Sequence, residues 1–192
     1  LYTKYLVLEM GIEYLGEMDF YTWVSPIDIA IITSVSLTHT EFLKNIKTIA
    51  FEKGQIGKHA KVVLINAQDP NITVNTKGDV IKVEPVQNIE IPMLGKHLYS
   101  NIALAIKTAQ ILGLSQNKIA TGMTHFTPPP HRMHLIQNEK FTLIDDTYNA
   151  NPTATKAAIQ TLLEFCKIHK KIPVFVFGQM NELGQYEKSA HE

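Results

Sequence analysis

The sequence predicts an α/β fold in two units, the first over residues 1–130 and the second over residues 131–192. Three observations lead there. Short, nearly continuous apolar runs at residues 6–8, 29–32 and 61–65 alternate with stretches of helical periodicity, the pattern of parallel strands buried on both faces. Each run stops at polar residues: Glu9, then Thr33 and Ser34, then Asn66 followed by Asp69. In an open parallel sheet such ends collect on one edge, together with the helix N-termini that follow them, and ligands bind there. Finally, Thr127-Pro128-Pro129-Pro130 has the composition of a linker, and beyond it the pattern restarts with a hairpin, a helix and another apolar run.

Composition narrows the function classes. An apolar fraction of 45% is ample for a packed core, and 18 basic residues balance 18 acidic ones. Balanced charge supplies no general field for nucleic acid or anionic lipid, so any anion site must be local. No apolar run approaches the ~20 residues of a membrane span, and no signal peptide is recognisable, so a cytoplasmic location is expected. Cys166 is alone and falls in an apolar helical pattern, where it is expected to be a small core residue.

In chain order, residues 5–8 are expected to form a buried strand, with a turn at Met10-Gly11. After the second run, a single helix is expected with the stripe Phe42, Ile46, Ile49, Lys53 and Ile56, spaced four, three, four and three apart. Lys53 thus shares an apolar face. Either it snorkels from the helix end near Gly54 and Gly57, or it is a buried group that needs an anion or a change of charge. Val80, Ile81 and Val83 suggest a small strand or hairpin. Ile91-Pro92-Met93-Leu94-Gly95-Lys96-His97 then leads into a helix with Leu98, Ile102, Ala105, Ala109 and Leu112 as its stripe, Gly113 as its stop and Asn101 off the stripe. Residues 116–123 form a short helix before the linker.

In the second unit, residues 132–136 and 141–144 flank a polar turn at Asn138-Glu139 and predict a hairpin. The second run ends in Asp145-Asp146-Thr147-Tyr148-Asn149-Ala150-Asn151-Pro152. Pro152 suits the first helical position, where a missing N–H costs nothing, and Asn151 suits the N-cap. The segment is either a capped turn or a site. The helix after it should turn Ile159, Leu163 and Cys166 inward, and residues 173–177 should form another buried strand. With strand-like runs so close to both ends, the chain is expected to be a piece of a longer protein.

Taken in order, several segments resemble the Mur ligase family. They are Glu9-Met10-Gly11 with Gly16-Glu17, Thr38-His39-Thr40-Glu41, Glu52-Lys53-Gly54-Gln55-Ile56, Gly95-Lys96-His97 with Asn101, Arg132, the stretch from Asp145 to Pro152, and Gly178-Gln179-Met180-Asn181-Glu182-Leu183-Gly184. The resemblance implies an incomplete central ATPase-type domain followed by the start of a Rossmann-like C-terminal domain. It also implies ATP-dependent amide ligation through an acyl phosphate. The Tyr148-Asn149-Ala150-Asn151-Pro152 block points to members that add D-alanyl-D-alanine to UDP-N-acetylmuramoyl-tripeptide, and away from folylpolyglutamate synthase.

By the same resemblance, Glu9, His39 and a carbamylated Lys53 would hold Mg²⁺, with His39 and Lys53 also serving catalysis. Asn101 would contact adenine, Arg132 the phosphates and Asp146 the ribose of ATP, while Tyr148, Asn149 and Asn151 would line the substrate side. A monomer is expected. The sequence departs from the family pattern in three places: it has no GxxGKT or GKS phosphate loop, His131 stands where a glycine usually precedes the arginine, and Leu98 stands where an asparagine often follows the histidine. Without that loop the 192 residues alone are expected to be inactive, and a non-catalytic scaffold is the rival reading.

Overall fold

A computed structural model describes residues 3–87 and 94–192. The first unit is built on a parallel three-stranded sheet in which β1 (Ile29–Ile32), β2 (Val62–Asn66) and β3 (Asp79–Val83) lie side by side in that order. Ile29 pairs with Val62, and Val62 with Asp79. The stretch around Val80 is therefore a third parallel strand. Both faces of the sheet are covered, which explains its continuous apolar strands. Ala30, Ile32, Val63 and Ile65 pack with Met18 of α1 (Glu17–Val24) and with Ile49 and Ala50 of α3 (Ile46–Gly54). Leu64 and Val83, with Ile29, Ile31 and Ile81 around them, pack against Ala103 and Leu104 of α4 (Leu98–Ile111).

The single helix expected over residues 42–56 is instead two helices and a turn. The short α2 (Thr40–Leu43) ends at Lys44, which is left-handed at φ 66°, and Asn45 then caps α3 by accepting the Thr48 N–H at 3.0 Å. A 3₁₀ turn (Gln55–Gly57) closes the segment. Ile49 is fully buried, Lys53 is half-buried, and Phe42 is largely exposed because α2 does not continue the axis of α3. In α4 the expected stripe is rotated: Ser100, Ile102, Ala103 and Leu104 are buried, whereas Ala105 is exposed.

Two expected strands do not form. Residues 5–8 and 173–177 are irregular and exposed, with Val7 and Val176 each 91% accessible. Their composition suits a strand, but a strand needs a neighbour to take its backbone groups, and among the described residues neither run pairs with one. The Ile91-Pro92-Met93 stretch lies outside the described residues.

The second unit holds an antiparallel hairpin of β4 (His134–Gln137) and β5 (Thr142–Asp145), in which His134 pairs with Asp145. Asn138 turns it by accepting the N–H groups of Lys140 and Phe141, each at 2.9 Å. Then comes α6 (Pro152–His169), which starts where the sequence predicts: Asn151 Oδ1 accepts the Ala154 N–H at 2.9 Å, with Pro152 at the first helical position. Cys166 is buried beside Phe165, but Leu163 faces solvent. Residues 127–130 separate α5 (Gln116–Thr124) from this unit without regular structure. Among the described residues no helix is long and apolar enough to cross a membrane.

The turn expected at Met10-Gly11 does not form, and the turn before α1 lies at residues 15–16. One buried carboxylate fixes that entry to α1. Glu52 is 2% exposed, and its Oε1 accepts the N–H groups of Gly16 (3.0 Å) and Met18 (2.9 Å) at the start of α1. Those donors have no intrahelical partner, and a negative charge there also suits the helix dipole. Replacing Glu52 by Ala takes the acceptor from the Gly16 N–H and from the buried Met18 N–H and should lower unfolding free energy by about 1–3 kcal/mol. Glu52→Gln, which keeps one acceptor oxygen, should cost less. Urea unfolding of the two variants checks this, and a loss no larger than that of the exposed Glu187→Ala would contradict it.

Candidate active site between the two units

The site grows from the N-terminus of α2. His39 occupies the N-cap position in left-handed conformation (φ 54°), but its side chain caps nothing. One first-turn donor of α2 is met from the other unit: Glu41 N–H donates to the Glu182 carbonyl at 3.3 Å. Alongside, the buried Thr40 hydroxyl donates to the Leu183 carbonyl at 2.8 Å. Gly184 (φ 53°) completes the contact. A Cβ there would lie 3.2 Å from the Glu41 Cα, so the close approach of the two backbones favours glycine.

This seam sets His39 Nδ1 2.5 Å from Glu182 Oε2. The Nδ1 atom is enclosed, yet no aligned hydrogen bond reaches it. Glu182, like His39, is left-handed (φ 63°), so two strained non-glycine residues face each other across the seam. Glu13 joins them, and ligand atoms of Glu13, His39 and Glu182 lie within 4.8 Å of one another. Glu13 is held by its backbone, since Glu17 Oε2 accepts the N–H groups of Glu13 (2.6 Å) and Tyr14 (2.9 Å). The same two hydrogen bonds hold the Glu17 carboxyl below its ordinary pKa. A cavity of about 160 Å³ opens beside this group, lined by Thr38 and His39 from one unit and Asn149, Asn151, Asn181 and Glu182 from the other.

The remaining sequence-predicted residues fall around it. Lys53 Nζ donates to the Ser34 carbonyl at 3.0 Å, at the carboxyl end of β1. Burial lowers its pKa, and the charge of Asp69 partly opposes that. Asp69 itself anchors the β1 exit by accepting the Val35 N–H at 2.7 Å. Glu9 is exposed on the irregular segment before α1, outside the Glu13–His39–Glu182 group. Asn101 is exposed in the first turn of α4, and neither it nor Lys53 lines the cavity.

Across the 95–97 turn the second unit packs again. A Cβ on Gly95 would meet the Thr161 hydroxyl at 3.1 Å, and Lys96 reaches Glu164 of α6 at 3.1 Å. His97 feels Asp146: desolvation lowers the imidazole pKa although much of the ring remains open to solvent, and the Asp146 carboxylate opposes the shift. Asp146 Oδ1 accepts the Met133 N–H at 3.0 Å. Asp145, by contrast, is tied to Thr147 (2.8 Å) and His131 Nδ1 (2.8 Å), and both bonds hold its pKa below the ordinary carboxylate range. Arg132 lies over the Tyr148 ring, its guanidinium carbon 3.8 Å from the centroid.

The structure thus brings His39, Asn149 and Asn151 to one cavity, and Arg132, Asp146 and Tyr148 to a second cluster around residues 131–133. Glu13, Glu52 and Glu182 are additions that the sequence reading did not assign. The Glu-Leu-Gly motif and the Glu-Lys pair marked two of them; nothing local marks Glu13.

Two family comparisons cover most of the chain. Residues 2–85 match the Mur ligase middle domain, and residues 131–192 match the Mur ligase, glutamate ligase domain. The UDP-N-acetylmuramoyl-tripeptide–D-alanyl-D-alanine ligase of Bacillus subtilis (strain 168) is 29% identical, over 99% of this chain and 48% of that protein. The ligase of the same name from Borreliella burgdorferi is 25% identical, over 98% and 47%. Among solved structures, MurF from Acinetobacter baumannii superposes with a TM-score of 0.84 at 24% identity, over 96% of this chain and 47% of that one. MurF ligase from Thermotoga maritima in complex with ADP gives 0.76 at 21%, over 93% and 48%. The chain spans about half the length of the curated relatives it matches. With both of its units matched to Mur ligase domains and its fold shared with ligases of that kind, the chain belongs to the Mur ligase family.

Proposed function

We propose that the chain is part of an ATP-dependent amide ligase that joins D-alanyl-D-alanine to UDP-N-acetylmuramoyl-tripeptide in peptidoglycan precursor synthesis, acting in the cytoplasm as a monomer. The observation that carries this reading is the cavity at the seam. His39, Asn149 and Asn151, which the family resemblance assigns to one active site, line it together although more than a hundred residues separate them in sequence. We place the division between a central ligase domain and a C-terminal one at the 127–130 linker. ATP would lie between the units, with its phosphates toward Arg132, its ribose toward Asp146 and its adenine toward Asn101. Tyr148, Asn149 and Asn151 would face the incoming substrate.

A divalent cation fits part of the donor set. An imidazole whose enclosed Nδ1 has no aligned hydrogen bond, flanked by Glu13 and Glu182, offers ligand atoms close enough to share an ion. Glu9 would supply a further carboxylate. Lys53 as an ammonium does not fit; as a carbamate it presents oxygens, which Mg²⁺ prefers. A cation held by these residues would supply positive charge against the phosphates of ATP. The site favours carbamylation, because only the neutral amine adds CO₂, releasing a proton. Burial lowers the Lys53 pKa, so at a given pH more of it is neutral than of an exposed lysine.

The 192 residues contain no GxxGKT or GKS segment, and we propose that they are inactive by themselves. The full-length protein should release phosphate from ATP only when both UDP-N-acetylmuramoyl-tripeptide and D-alanyl-D-alanine are present. Release that ignores the dipeptide would count against the reading. In the same protein Lys53→Ala should lose activity, and bicarbonate or short carboxylates should partly restore it; an unaffected variant would sink the carbamate.

A further inference from the structure

The stretch from Asp145 to Tyr148 does more than present side chains to a ligand: it grips residues 131–133 one by one. His131 and Met133 are both left-handed, at φ 62° and 49°, which non-glycine residues seldom adopt. The His131 ring is held by Asp145 at 2.8 Å, and its carbonyl accepts the Tyr148 N–H at 3.0 Å. Met133 is buried, and its N–H donates to Asp146 at 3.0 Å. Arg132 lies between these two strained neighbours, with its guanidinium carbon 3.8 Å from the Tyr148 ring centroid. Among the described residues that guanidinium takes part in no ion pair and no hydrogen bond. It is therefore held against a ring while its N–H donors have no protein partner. An arginine in this state is preorganised for an oxyanion, because the ring limits where the side chain goes and its donors are not used up.

We propose that Tyr148 is a positioning residue whose ring holds Arg132 with its donor edges free for the ATP phosphates. The proposal rests on the reading of Arg132 as a phosphate contact, and it gives Tyr148 a role through Arg132 beside the substrate-facing one.

The test uses the full-length ligase. Arg132→Ala should raise the KM for ATP about tenfold or more, the loss of a charge-assisted contact. Tyr148→Leu should raise it about two- to fivefold, the size of an exposed cation–π contact. Tyr148→Phe, which keeps the ring face, should stay nearer wild type than Tyr148→Leu. In an Arg132→Ala background, Tyr148→Leu should add nothing to the KM for ATP. A second readout is independent of activity: in arginine-labelled protein the Arg132 δ-proton resonances should carry a ring-current shift that Tyr148→Phe keeps and Tyr148→Leu removes.

An unchanged KM for ATP in Tyr148→Leu, an effect additive with Arg132→Ala, or a rise only in the KM for the tripeptide or dipeptide would each overturn the proposal. Absence of the ring-current shift would overturn it at the level of the contact. If the shift is present but Arg132→Ala leaves the KM for ATP unchanged, the phosphate reading fails, and the positioning role fails with it.

Discussion

Helix α2 begins with a donor that the other unit satisfies. It has only four residues, its N-cap histidine makes no side-chain cap, and the Glu41 N–H is taken by a carbonyl of the other unit. A four-residue helix has little cooperative stability of its own, so its position depends on what it docks against. Here the dock is the backbone of residues 182–184, joined by the Glu41 N–H and the Thr40 hydroxyl and brought close because residue 184 is glycine. From that contact follow the approach of His39 to Glu182, the inclusion of Glu13 in the group, and the cavity that Asn149 and Asn151 share with His39. The seam therefore fixes which side chains of the two units can act together.

The second cluster follows a related logic. At the linker exit the chain adopts two left-handed residues in three, and the Asp145–Tyr148 stretch holds both, with Arg132 between them against the Tyr148 ring. Where the family pattern has glycine, this chain has His131, and the side chain that glycine lacks is put to use as the partner of Asp145. Lys53 stands apart from both clusters, half-buried and bonded to the Ser34 carbonyl just past β1.

Some of this is visible in the residues themselves. β1 and β2 are legible because both faces of the sheet are covered, which leaves no polar position in Ile29–Ile32; α6 is legible because Asn151-Pro152 is local capping chemistry. Residues 5–8 and 173–177 mislead for a related reason. Apolar composition reports a tendency to be buried, but a strand also needs a paired neighbour, and that is not a property of the run. The break at Lys44 was hidden because it depends on where α2 docks. Helical spacing placed Lys53 on the apolar face, but the charged residue of α3 that is most deeply enclosed is its neighbour Glu52, whose carboxylate is met by N–H groups 34 and 36 residues away. His39 and Asp146 were legible as motif residues. Glu182 as the partner of His39 was not, since only the seam brings them together.

Amide hydrogen exchange at Glu41 tests the seam most directly. An N–H in the first turn of a short, otherwise uncapped helix exchanges freely, so protection there reports the bond to Glu182 across the units. The account predicts slowed exchange at Glu41 in the wild-type chain, with the protection falling in Thr40→Val and surviving in Thr40→Ser, which keeps the hydroxyl. Exchange of Glu41 at the rate of an unprotected amide in the wild-type chain would contradict it.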